Sequence, residues 1–322
     1  MRVLITGANG FVGKSLVKDF AASGYLVTAA SRNEPTELPE DVKWIAAPSL
    51  ELGADFSALV CDCDIVVHAA ARVHVMKDTA HDSLKEFRAA NVEGTLALAR
   101  AAIASGIRHF VFLSSVKVNG EETRKGQCFN RTDIPDPQDA YAISKAEAER
   151  ELVKLSNETC MKITIIRPVL VYGPGVKGNF RILMDVMARG IPLPLGGIDN
   201  KRSLVYVRNL TNLVVKVANH PNAFGKIIFA SDGVDLSTSS LLQLIGQSLN
   251  RKASLLPIPR LVQRLAILVV RKNSAARRLL CSLQVDHQAA CDTIDWSPPY
   301  SVAEGIAETA ADYLISLRRE HS

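Results

Sequence analysis

The sequence predicts an α/β architecture: a doubly wound parallel sheet with a smaller, discontinuous C-terminal substrate domain. Three observations carry this. The apolar run Arg2-Val-Leu-Ile-Thr6 ends in a glycine-rich turn that opens a helical pattern. Further apolar runs alternate with helical stretches, and strands that alternate with helices pair in parallel through right-handed crossovers, covering both faces of the sheet. Beyond Pro174 the alternation gives way to proline-bearing and basic segments.

The first unit is the most informative. Gly7-Ala-Asn-Gly10-Phe-Val-Gly13 joins the first strand to a helix marked by Leu16, Val17 and Phe20. A helix entered from a strand through glycines offers unpaired N–H groups and a positive dipole end to a pyrophosphate, with no Cβ in the way. That is the dinucleotide-binding arrangement of a Rossmann-type sheet, here with the wider G-x-x-G-x-x-G spacing; a plain turn before a helix is the alternative. The second strand, over residues 25–30, ends in Ser31-Arg32-Asn33. A carboxylate at Ser31 would accept both ribose hydroxyls of NAD, whereas Arg32 suits the extra phosphate of NADP. NADP(H) is therefore favoured and NAD(H) is the alternative, with Arg32 as a solvated loop residue in the bland reading.

Residues 64–71 read as a further buried strand, whose close in Ala69-Ala70-Ala71 lets the backbone approach a cofactor. His68 is expected to pack at the strand end rather than to catalyse. A helix starts at Ala89, a strand covers residues 110–115, and the polar stretch 119–139, broken by Gly120, Gly126, Pro135 and Pro137, is a loop. It delivers the chain to Tyr141-Ala-Ile-Ser-Lys145. Tyr and Lys four apart share a helix face, so the ammonium would favour phenolate and make Tyr141 a usable base. Ser115 stands at a strand's carboxyl end, where open sheets bind ligands.

After a strand over 163–168 the reading continues with an amphipathic helix over 179–188, a proline-bearing turn over 191–197, strands near 204–210 and 226–230 that return to the core, and helices over 237–249 and 302–317. The larger domain is thus 1–174 with about 203–230, and the smaller is about 175–202 with 231–322. Arg260, Arg264, Arg271, Lys272, Arg277 and Arg278 form a basic region. A solvated helix face is its default reading, followed by a phosphate-facing wall and then by contact with an anionic membrane surface.

Composition narrows the partners. A net charge of +5 is too mild to argue for nucleic acid. The six cysteines show no paired C-x-x-C spacing and no nearby histidine cluster, so no metal is expected and a reduced, cytoplasmic setting fits. Residues 1–6 lead straight into a strand with no signal-peptide pattern, and the late apolar run 265–270 is too short to span a bilayer, so no integral membrane segment is expected.

With Gly7/Gly10/Gly13, Ser115, Tyr141/Lys145 and Arg167-Pro-x-x-x-Tyr172-Gly-Pro174 in order, the chain resembles over essentially its whole length the extended short-chain dehydrogenase/reductases of the nucleotide-sugar epimerase/dehydratase family. The resemblance implies a catalytic set of Ser115, Tyr141, Lys145 and Asn91. It implies a cofactor site of Gly7, Asn9, Gly10, Phe11, Val12, Gly13, Ser31, Arg32, Ala69, Ala70, Ala71 and Pro168, shared with Tyr141 and Lys145. The implied substrate site is Ser115, Lys117, Tyr141, Asn179 and Arg202, for a UDP-sugar, with a surface role as the alternative for Asn179 or Arg202, and a helix-mediated homodimer is expected.

Family members that dehydrate place an acidic pair directly after the catalytic Ser/Thr, and those that epimerise C3 and C5 place a cysteine two residues after it. Val116 and Lys117 stand there, so both reactions are disfavoured. Segments 114–121 and 174–180 resemble a bacterial cell-surface polysaccharide branch with two activities. Ser31-Arg32 suits the first, NADPH-dependent reduction of a UDP-4-keto-6-deoxy-N-acetylhexosamine. The alternative is a UDP-glucose or UDP-N-acetylglucosamine 4-epimerase using tightly held NAD. A non-catalytic dinucleotide sensor is the third reading, opposed by the retention of both Tyr141 and Lys145.

Overall fold

Strand β1 (Arg2–Thr6) lies inside a seven-stranded sheet with β2 (Leu26–Ser31), β3 (Lys43–Ala46), β4 (Ile65–His68), β5 (His109–Leu113), β6 (Lys162–Pro168) and β10 (Ile227–Ala230). In this computed structural model, which describes residues 1–73, 82–257 and 274–320, the order is β10-β6-β5-β4-β1-β2-β3 and every pairing is parallel. Side chains alternate across a strand, and β1 shows the consequence: Val3 and Ile5 enter one core while Leu4 enters the other. On the first face lie α1 (Phe11–Ala22) and α7 (Val207–Ala218). Leu16, Val17, Phe20, Leu210, Leu213 and Val217 fill that core at helical spacing. The other face is covered by α4 (Gly94–Ala104) and α5 (Ala140–Glu158), whose Leu98, Ala102, Ala148 and Leu152 meet Val66, Phe110 and Ile163. With apolar cover on both faces, β4 and β5 are buried along their whole length. The strand order reverses beside β1, between β2 and β4, so the crevice of the doubly wound sheet opens at the Gly7 turn.

A second body of structure lies past β6. β7 (Leu170–Tyr172), β9 (Arg202–Tyr206) and β11 (Asp235–Leu236) form a three-stranded sheet, and β8 (Leu193–Gly196) pairs with β12 (Leu255–Pro257). Tyr172 and Tyr206 are central to a third core with residues of α6 (Asn179–Ala188), α8 (Thr238–Ser248) and the C-terminal helix Val302–Glu320, among them Phe180, Met184, Leu242, Ile245 and Ile306.

Several expectations need correction. Residues 191–197 hold a strand as well as a turn, because Leu193 finds a partner in Leu255. The strand expected over 204–210 ends at Tyr206, where α7 begins, and it joins β7 and β11 rather than the main sheet. Strand β3 was not expected, and β2 is shifted by one residue to end at Ser31. The helix expected from Ala89 opens with a π turn, Ala89–Glu93. Arg260, Arg264, Arg271, Lys272 and the apolar run 265–270 lie outside the described residues; Arg277 and Arg278 lie on the helix Ser274–Leu280. Among the described residues no helix is long and apolar enough to cross a membrane, and no group of three or more His, Cys, Asp or Glu is arranged to hold a metal.

Candidate active site

The carboxyl ends of β1, β4 and β5 converge on one edge. There Gly7 adopts φ +70, and a Cβ on it would lie 2.7 Å from the Ala70 backbone nitrogen, so the turn after β1 and the Ala69–Ala70 backbone touch directly. A Cβ on Gly13 would lie 2.0 Å from the Gly7 carbonyl oxygen, which lets α1 sit hard against the turn. Asn9 and Gly10 are exposed, and Gly10 begins α1 without a side-chain cap. The first α-helical bond is Lys14 N–H to Gly10 O at 3.0 Å, so the preceding N–H groups of Phe11, Val12 and Gly13 lie ahead of the helix's own ladder. An uncapped helix start approached through glycines fits a dinucleotide pyrophosphate. Ala71 and Pro168 stand at the neighbouring carboxyl ends of β4 and β6. At the end of β2 the Ser31 hydroxyl is already engaged, donating to Asn33 O at 2.7 Å and accepting from the Trp44 indole at 3.0 Å, while Arg32 is exposed.

The helix that bears Tyr141 and Lys145, α5, is capped by Asp139, whose Oδ1 accepts from Ala142 N–H at 2.7 Å. Its buried stripe is Ala142, Ser144, Lys145, Ala148, Glu149 and Leu152, so two ionisable groups sit where an ordinary helix would place apolar ones. Lys145 Nζ donates to Leu113 O at 2.8 Å at the end of β5 and lies 4.4 Å from the centre of the Phe112 ring. Burial pulls its ammonium down to about 7, with Glu149 opposing. Tyr141 is half-buried, with the Phe87 ring edge-on at 6.1 Å. Its phenol is pushed up, chiefly by burial and then by the Asp139 carboxylate. This departs from the expectation that Lys145 would bring the phenol down: burial and the Asp139 carboxylate set the direction in the chain by itself.

Ser115 follows β5, and its Oγ accepts from Lys117 N–H at 3.3 Å; Ser114 Oγ, one residue earlier, is buried with no hydrogen-bond partner among the described residues. Asn91, within the π turn, does not reach the phenol directly. Its Oδ1 accepts from Arg72 N–H at 2.8 Å and its Nδ2 donates to Arg72 O and to Ser144 Oγ, each at 3.0 Å. Ser144 donates in turn to Tyr141 O at 2.8 Å. Asn91 therefore ties the segment after β4 to the turn of α5 that bears Tyr141. His68 packs, as expected: it is fully buried between Thr6 Oγ1 at 2.7 Å and Thr95 Oγ1 at 3.0 Å, and burial holds its imidazole down at about 3.

Arg88 pairs with Glu147 of α5, and two further ion pairs reach α5 and its cap beside the site. Arg167 clasps Glu149 with two nitrogens and donates to Asn119 Oδ1 at 2.9 Å, joining β6, α5 and the end of the Ser115 turn. Lys117 Nζ meets Asp139 Oδ2 at 2.5 Å and Glu121 Oε1 at 3.5 Å, and Glu121 also meets Arg277. Lys117 is thus committed to carboxylates of this chain. Arg202, half-buried, donates to Cys281 O at 3.0 Å, and burial brings its guanidinium down to about 10. Asn179 is the exposed first residue of α6; among the described residues no hydrogen bond joins it to Ser115 or Tyr141. Tyr172 of the Tyr-Gly-Pro segment is structural: it is fully buried and donates to Asp232 Oδ2 at 2.9 Å. The sequence reading missed Glu149, Ser144, Asn119 and Asp139. Glu149 had a visible signal, because it lies four residues after Lys145 on the same helix face.

The model of the family described as "NAD dependent epimerase/dehydratase family" matches residues 3–229. A UDP-glucose 4-epimerase of Vibrio cholerae is 40% identical over 319 residues, covering 98% of this chain and 97% of the relative. Among solved structures, UDP-glucuronic acid 4-epimerase from Bacillus cereus in complex with NAD superposes with a TM-score of 0.79 at 21% identity, covering 98% of this chain and 99% of that one. UDP-glucose 4-epimerase from Thermotoga maritima with UDP-glucose also gives 0.79, at 22% identity and with 98% and 100% covered. At such identities the two structures speak for the fold alone. A glycine cradle at the switch point of a doubly wound sheet, a Tyr–Lys helix beside it and the matching family model agree: the chain is an enzyme of the NAD dependent epimerase/dehydratase family, of the extended short-chain dehydrogenase/reductase type.

Proposed function

We propose that the protein moves a hydride at C4 of a UDP-sugar, and that its reaction is 4-epimerisation of a UDP-hexose. The observation that carries this reading is the full-length likeness, at 40% identity, to a UDP-glucose 4-epimerase, with Ser115, Tyr141 and Lys145 gathered at the carboxyl edge beside the glycine cradle. The preference thereby moves from reductase to epimerase. When bound, NAD supplies the acceptor and donor of the hydride. The backbone around Gly7, Gly10 and Gly13 would hold its pyrophosphate, and Lys145 would lie against its ribose. Ser115 would orient the oxygen on C4. Tyr141 takes the proton from that oxygen as the C4–H bond is broken and returns it when hydride comes back to the opposite face. Burial and the Asp139 carboxylate oppose the phenolate, so a positive charge brought by the assembled site would be needed to bring Tyr141 into range. Val116 and Lys117 leave no acid–base pair for loss of water.

A second reading, NADPH-dependent reduction of a UDP-4-keto-6-deoxy-N-acetylhexosamine, is supported by the end of β2. There the Ser31 hydroxyl is spent on Asn33 and Trp44, and the exposed Arg32 suits a 2′-phosphate. One experiment separates the two. The protein is incubated with UDP-glucose and with UDP-N-acetylglucosamine without added reductant, then with a 4-keto-6-deoxy substrate and NADPH. Equilibration of gluco and galacto forms is expected in the first arm; turnover confined to the second would replace epimerase by reductase. Tyr141→Phe is expected to lower turnover by about 10²–10⁴-fold with cofactor binding retained, and unchanged turnover would remove Tyr141 from the mechanism.

A further inference from the structure

The reading of Tyr141 as the acid–base residue leaves Lys117 without a role, since its ammonium faces two carboxylates of its own chain. We propose that Lys117 is a positioning residue of this site: it locks the Ser115 turn to the cap of the Tyr141 helix and offsets part of the negative charge that the cap places beside the phenol.

The geometry joins both functions in one side chain. The Lys117 backbone N–H donates to Ser115 Oγ at 3.3 Å, and its Nζ lies 2.5 Å from Asp139 Oδ2. The other oxygen of Asp139 caps α5 through Ala142 N–H at 2.7 Å, one residue past Tyr141. Ser115 and Tyr141 lie 26 positions apart in the chain, on either side of a long loop. The lysine spans that loop. The turn is short and closed, with Val118 N–H donating to Ser115 O at 3.1 Å, so displacement of the Lys117 side chain pulls on Ser115.

The charges around the phenol balance. On the loop side stand two carboxylates, Asp139 and Glu121, and two cations, Lys117 and Arg277. Arg277, from the helix Ser274–Leu280, answers Glu121 and leaves Lys117 for Asp139. On α5 itself the next ionisable groups are Lys145 and, on the same buried stripe, Glu149 with its partner Arg167. From α3 (Ser83–Arg88) the phenol meets the Phe87 ring, which carries the Arg72 guanidinium at 5.7 Å; Arg72 pairs with Glu86 at 3.6 Å, and Arg88 pairs with Glu147 of α5. Deleting Lys117 therefore leaves one uncompensated negative charge, and it sits on the cap next to Tyr141. A negative neighbour disfavours phenolate. The side chains of Lys117 and Asp139 are 20% and 22% exposed, so solvent screens this charge only in part.

The test is the pH profile of kcat/KM for the wild type, Lys117→Met, Lys117→Arg, Asp139→Asn and the double variant Lys117→Met/Asp139→Asn, with Tyr141→Phe as reference. The limb set by Tyr141 is expected to move up by about one pH unit in Lys117→Met, to stay put in Lys117→Arg, to move down in Asp139→Asn, and to return toward the wild-type position in the double variant. Asparagine keeps the capping oxygen, so Asp139→Asn carries the test even if Lys117→Met does not fold. A lower rate with an unmoved limb in Lys117→Met, or no downward shift in Asp139→Asn, overturns the proposal. Loss of the proposed function is distinguishable: turnover that survives in Tyr141→Phe rejects the acid–base reading, whereas a dead Tyr141→Phe with an unaltered Lys117→Met profile rejects this inference alone.

Discussion

Two of the ion pairs on the Tyr141 helix lie ten residues apart, one at its cap and one on its buried stripe. Arg167 and Glu149 have side chains 3% and 5% exposed and meet through two nitrogens, with Asn119 as a third partner. Lys117 and Asp139 meet through one nitrogen and are 20% and 22% exposed. Both pairs are Coulombic, yet their surroundings give them different work. In the buried pair neither charge can be answered by water, so each partner is obligatory and the pair fixes where α5 lies against β6. In the partly exposed pair water shares the screening, so the contribution to stability is small while the effect on the charge beside Tyr141 persists.

Breaking the buried pair is the severest trial of this contrast. Arg167→Met is expected to cost about 3–5 kcal/mol in urea or guanidinium unfolding, because Glu149 would stay buried without its cation. A cost no larger than that of Lys117→Met would erase the distinction between the two pairs. The next effect is a pH dependence on the same buried side. His68 is held down at about 3, mainly by burial, against an ordinary value of 6.5. Below pH 6.5 the unfolded chain binds a proton there that the folded chain refuses, so this contribution is whole above 6.5 and drains away as pH falls toward 3. Denaturant midpoints measured between pH 6.5 and 5 are expected to fall less steeply in His68→Gln than in the wild type, and parallel slopes would refute the assignment. His109, also held down by burial, leaves a residual slope in both. The smallest effect sharpens the contrast from the exposed side: a double-mutant cycle on Lys117 and Asp139 is expected to give a stability coupling of only about 0.2–1 kcal/mol. A coupling several times larger would mean that solvent does not screen the pair.

The site was unevenly legible. Gly7, Gly10 and Gly13 announce their place because a strand, a tight turn and a helix start follow one another within a few residues. Tyr141 and Lys145 announce theirs because four residues make one helical turn. Lys117 could be named but not given its role: nothing local distinguishes an ammonium that meets a substrate from one that meets Asp139, 22 residues on. The resemblance places Asn91 in the catalytic set, and its side chain bonds Ser144 and the backbone of Arg72. The small sheets were the least legible part of the fold. A four-residue strand such as Leu193–Gly196 holds a pattern too brief to mark it, and its partner begins at Leu255.

By itself the chain determined the doubly wound sheet, the dinucleotide turn and the Tyr–Lys helix, since each depends on hydrogen bonds or periodicity spanning a few neighbours. Tertiary structure alone decided which charges face one another. A side chain specifies only what it can bond to, and the partner is whichever group the packed sheet and helices bring within reach. That is why the direction of the Tyr141 phenol, set by burial and by Asp139, ran opposite to the one its nearest sequence partner suggested.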